Sequence, residues 1–103
     1  MGFLGFGKKK AEPINLKDYL GEEDINFLYT ELQTMAKRVP GETSGIATAL
    51  AESIKSGDLI PAKESIGMCL SAIKMNQAFK ESQAGSEKLL DKLAAIEKQI
   101  KGK

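Results

Sequence analysis

The side chains that could do chemistry in this 103-residue sequence are few. There is no histidine, so the commonest general base and the commonest metal ligand are both missing. The single cysteine, Cys69, can form neither an intrachain disulfide nor a cysteine-rich zinc site. It falls inside a helical pattern at the edge of an apolar stripe, with no cation obviously placed to lower its pKa, and reads as a small buried hydrophobe. The densest carboxylate run is Glu22-Glu23-Asp24. Consecutive helical positions point around the helix, so these three do not converge on one cation; they suit the positive N-terminal end of a helix dipole. The glycines ahead of Lys8-Lys9-Lys10 lack the spacing and the following hydroxyl of a phosphate loop, and no Glu-x-x-His pair exists for a di-iron bundle. The expectation is a non-enzyme with no catalytic residues, no cofactor and no metal.

What remains is contact chemistry, in two places. The first is the N-terminal arm. Phe3, Leu4 and Phe6 are bulky apolar groups, and Lys8, Lys9 and Lys10 follow at once. Apolar anchors beside lysines suit an anionic membrane surface, where each lysine gains about 1 kcal/mol. Three side chains bury little area, however, and Gly2, Gly5 and Gly7 weaken any helix there. Docking on a partner protein and a mobile terminus are the other readings of the arm. Gly2 opens the chain as a myristoylation site would, but Phe6 stands where that pattern needs Ser or Thr.

The second place is the third predicted helix. Advancing about 100° per residue, it separates two apolar groups. Ala62, Ile66, Leu70 and Ile73 cluster on one side with Cys69 at the edge, and Met68, Ala72, Met75 and Phe79 cluster roughly opposite. A surface helix needs one apolar stripe. Two stripes mean either the central helix of a monomer or a helix with a partner beyond its own core. Methionine and aromatic residues are at home in adaptable interfaces, so Met68, Ala72, Met75 and Phe79 are candidate interface residues. Phe27, which points well off the stripe of the first helix, is a further candidate.

These residues need helices to position them. Val39 is the only valine, no stretch alternates polar and apolar cleanly, and four segments carry a 3.6-residue period. The fold expected is all-α, a small four-helix bundle or an open helical array, with a flexible apolar and basic arm over residues 1–13 and a single helical domain over 14–103. Residues 14–20 predict one short helical turn capped by Asn15. The first helix spans about 22–39, with Ile25, Leu28, Leu32, Met35, Ala36 and Val39 as its stripe, and Pro40-Gly41 stops it. The second spans about 44–56, with Thr43 or Ser44 as N-cap and Ile46, Ala47, Leu50, Ala51 and Ile54 as its face. Tyr29 lies at the rim of the first stripe. The third, entered through Pro61, runs over about 61–83. The fourth spans about 86–101, with Leu89, Leu93, Ile96 and Ile100 in a short seam.

Fifteen basic residues against fourteen acidic ones give a formal charge of +1, but the distribution is uneven. Lysine is in excess at both ends and acid in the first helix, a pattern that favours head-to-tail assembly by charge complementarity. Arg38 is the only arginine, and the mild basic excess argues against nucleic acid. No apolar run approaches the roughly 20 residues of a membrane span. The expectation is a cytoplasmic protein-interaction module, adaptor, scaffold or assembly component, associating with itself or another protein. The alternative is a peripheral protein tethered by residues 1–10 to the inner membrane surface, and a weak nucleic-acid binder is third.

Overall fold

A computed structural model describes residues 13–82 and 84–101, with the backbone alone at 101. The arm residues Phe3, Leu4, Phe6, Lys8, Lys9 and Lys10 lie outside the described residues. Ahead of the helices, Leu16–Asp18 forms one 3-10 turn, with the Asn15 side chain accepting a 2.9 Å hydrogen bond from the Lys17 amide. Ile14 and Ile60 form an isolated antiparallel bridge, their amides and carbonyls exchanging bonds of 2.9 and 2.8 Å. The bridge pins this leading segment to the connection between the second and third helices, a long-range pairing that no local pattern announces.

Four helices follow: α1 (Glu22–Arg38), α2 (Gly41–Ser56), α3 (Ala62–Ala78) and α4 (Ser86–Lys101). In α1, Glu22, Glu23 and Asp24 occupy the first turn and Lys37 and Arg38 the last, each complementing the helix dipole. The predicted start of the second helix is corrected. It begins at Gly41, whose φ of +62° opens the tight connection after Val39 and Pro40. Ser44 is not its N-cap: the hydroxyl donates across that connection to the Ala36 carbonyl at 2.7 Å, closing one of the orphan carbonyls at the end of α1.

The predicted end of the third helix is also corrected, from about Gln83 back to Ala78. Lys80 takes a left-handed φ of +60°, and the amides of Lys80 and Glu81 turn back to the carbonyls of Gln77 (3.0 Å) and Asn76 (2.7 Å). This is the Schellman pattern of a helix stop, with lysine where glycine is usual.

The helices pack in the order α2–α1–α3–α4. α1 lies between α2 and α3, and α3 lies between α1 and α4, while α1 and α4 touch little beyond the Lys92–Asp24 ion pair of 2.6 Å. The core runs through this row. α1 contributes Ile25, Leu28, Leu32 and Met35; α2 contributes Ala47, Leu50, Ala51 and Ile54; α3 contributes Ala62, Ile66, Cys69, Ala72 and Ile73; α4 contributes its whole seam. Ile46 is not part of it and stands 54% exposed. It lies about 80° around the helix from Ile54, just past the edge of the buried arc. Among the described residues four polar side chains on the helices are also buried, Glu31, Ser65, Asn76 and Ser86, with Glu31 at 1% and Asn76 at 0% exposure.

Candidate functional site

α3 has neighbours on two sides, so most of its second apolar group is used within the chain. Ala72 is wholly buried in the core, which corrects its place among the interface residues: it has no surface to offer a partner. Met68 and Met75 are half-buried at the core's edge, as is Phe27 of α1. Phe79 is different. It is 54% exposed, one step beyond the last turn of α3. Met68, Met75 and Phe79 fall within about 40° of one another around the helix, so the methionines continue the strip that the ring ends.

The backbone around Phe79 is set by the early stop of α3, and the neighbouring chemistry by the end of α1. The Arg38 guanidinium sits over the Phe79 ring, 4.1 Å from its centroid. The same guanidinium donates to Glu81 through Nε (2.8 Å to Oε1) and through Nη2 to the second carboxylate oxygen. Arg38 is thus held between a ring and a carboxylate, a geometry that suits its planar, delocalised charge. The pairing pushes the Arg38 pKa up and holds the Glu81 carboxyl below its ordinary range, in both cases through the hydrogen bonds between them. An open groove of about 570 Å³ lies alongside, lined by Thr34, Lys37, Arg38 and Glu81.

Behind the groove is a polar junction that the sequence reading missed. The Asn76 amide nitrogen donates to the Glu31 carbonyl (2.9 Å) and to its Oε1 (2.8 Å), and the Ser82 hydroxyl donates to the same Oε1 (3.1 Å). The junction ties α1 to the last turn of α3 and to the segment after it. With the amide nitrogen committed to two acceptors, the Asn76 Oδ1 points into the core without a partner among the described residues. A signal was present: Glu31 is three residues from Leu28 and four from Met35, and Asn76 is three from Ile73, so both sit in the register of buried stripes.

The other reactive groups are accounted for by packing. Cys69 is wholly buried, and burial pushes its thiol up to about 12, so it stays protonated at neutral pH. Tyr29, half-buried, donates to Glu52 at 2.9 Å and accepts from Gln33 at 2.9 Å, while the Lys55 ammonium lies 4.5 Å from its ring centroid. The Glu52 contact pushes the phenol's pKa up. Among the described residues no group of three His, Cys, Asp or Glu could hold a metal ion, and no helix is long and apolar enough to cross a membrane. No family model matches this chain, and neither a curated protein nor a solved structure matches it.

Proposed function

We propose that the protein is a non-enzymatic helical interaction module, an adaptor, scaffold or assembly component, and that it associates with itself. The observation that carries the reading is Phe79, 54% exposed and stacked under Arg38 beside an open groove. Single exposed aromatics are ordinary on protein surfaces. This one ends a strip with Met68 and Met75 and carries the Arg38 guanidinium over its ring, which gives it the makings of an interface anchor. A Phe79→Asp variant should remain folded, because the ring is mostly outside the core. It should also stay monomeric at concentrations where the parent chain self-associates. Equal molar masses for the two chains across a concentration range by analytical ultracentrifugation would overturn the reading.

The second reading concerns the arm and rests on composition: Phe3, Leu4 and Phe6 followed by Lys8, Lys9 and Lys10 suit a cytoplasmic membrane surface. Co-sedimentation with anionic vesicles should then fall sharply for a chain starting at Ala11. Equal binding by the two forms would remove the membrane from the account.

A further inference from the structure

α4 has the fewest attachments of the four helices. It packs on α3 alone, burying Leu89, Leu93, Ile96 and Ile100, and reaches α1 chiefly through the Lys92–Asp24 pair. The link that folds it back carries its glycine only at the far end, next to α4. Phe79-Lys80-Glu81-Ser82 contains neither glycine nor proline, and lysine and glutamate favour helix. Yet the chain leaves the helix here, with Lys80 at a φ of +60°, where side chains other than glycine are uncommon. The first glycine, Gly85, comes later and also has positive φ, +93°. Local preference therefore favours a continuous α3, and the closed link is held by contacts at a distance. Ser82 bonds Glu31, Arg38 pairs with Glu81, and the Gln77 amide donates to the Ser86 hydroxyl at 2.9 Å.

We infer that the link can open so that α3 runs on as helix through Lys80 and Glu81, while α4 docks on α3 of a second copy and that copy's α4 docks in return. The apolar contacts of the swapped dimer are those of the closed chain, so the two forms differ mainly in the link. Closing the link costs the left-handed lysine; opening it costs the Ser82, Glu81 and Ser86 contacts. A hinge strained in its closed form is the arrangement that invites such an exchange. The inference rests on the self-association reading but not on the Phe79 strip, since the occupant of the exchanged site is α4 itself.

Two substitutions push the link in opposite directions. Lys80→Gly relaxes the left-handed position and disfavours the extended helix. Gly85→Ala resists φ +93° and so penalises the closed link, and a Cβ at that position meets no atom within 4 Å, so only the backbone preference changes. The full-length variants should be refolded, equilibrated and weighed in solution over a concentration range. Lys80→Gly should weaken dimerisation by about a hundredfold, a roughly tenfold bias acting in each of two chains. Gly85→Ala should strengthen dimerisation and raise the helical signal per chain. Dimerisation unchanged in both variants would overturn the exchange, and if Phe79→Asp alone dissociates the dimer, a surface contact stands in its place. Dissociation by Lys80→Gly with Phe79→Asp still dimeric would uphold the exchange and sink the surface reading. Monomers throughout, Gly85→Ala included, would overturn both.

Discussion

The C-terminal ends of α2 and α3 share one hydrogen-bond pattern but are stabilised from different sources. At the end of α2, the amides of Gly57 and Asp58 return to the carbonyls of Ile54 (3.2 Å) and Ser53 (3.0 Å), and Gly57 takes the left-handed position with φ +81°. At the end of α3, Lys80 and Glu81 make the equivalent bonds, and Lys80 takes that position. Glycine enters the left-handed region without a Cβ clash, so the end of α2 is a local property of its residues. Lysine does not, so the end of α3 depends on what surrounds it: Glu31 and Asn76 in the core, and Arg38 pairing with Glu81 at the surface. One helix stops because of its own sequence. The other stops because α1 holds it there.

The largest test of this contrast is Asn76→Ala. It removes both bonds to Glu31 and leaves a buried carboxylate with fewer donors, which should cost about 3 kcal/mol in chemical denaturation. Hydrogen exchange should speed up at the amides of Lys80 and Glu81 while those of Gly57 and Asp58 keep their relative protection. Uniform loss of protection at both helix ends would erase the distinction.

Next is Gly57→Ala. A Cβ there sits in the left-handed region and meets the Lys17 side chain at 3.3 Å, so the variant should lose about 1–2 kcal/mol. Lys80→Gly should move the other way and by less. Relief of the left-handed lysine, about 1–2 kcal/mol, is partly offset by the greater freedom of glycine in the unfolded chain, about 0.4–1 kcal/mol. A loss of thermal stability in Lys80→Gly would mean that the lysine is not held against its preference.

The smallest effect is the pH dependence of the surface pair. Arg38 depresses the Glu81 carboxyl, so the pair's contribution is present above the ordinary carboxylate range and fades as pH falls through the lowered folded value. Glu81→Gln should flatten that acid limb slightly in a pH series of thermal melts, and salt should do the same to the parent chain. An unchanged acid limb in Glu81→Gln would show that the pair does not help to hold the end of α3.

The same contrast explains what was legible in the residues. The all-α fold follows from 3.6-residue periods that any tertiary arrangement must bury. Pro40-Gly41, Pro61 and the acidic first turn of α1 marked boundaries because the signals lie in the boundary residues themselves. The end of α3 was not legible, since Lys80-Glu81-Ser82 reads as helix and the arrest comes from α1, some forty residues earlier in the chain. The Glu31–Asn76 junction was hidden for a related reason. Polar residues in a buried register count as interruptions until a partner on another helix is known. Ile46 shows the reverse: an isoleucine one step outside the buried arc looks like core until the neighbours of α2 are placed. Of the candidate interface, Phe79 keeps its surface, Met68, Met75 and Phe27 keep part of it, and Ala72 keeps none, because α3 is flanked on both sides within the row.

The central claim is that this chain associates with itself. The most direct measurement is the solution molar mass of the full-length protein by sedimentation equilibrium over a wide concentration range. The account predicts a mass that rises with concentration from the monomer's 11.1 kDa toward that of a dimer. A mass that stays at the monomer value throughout would contradict it.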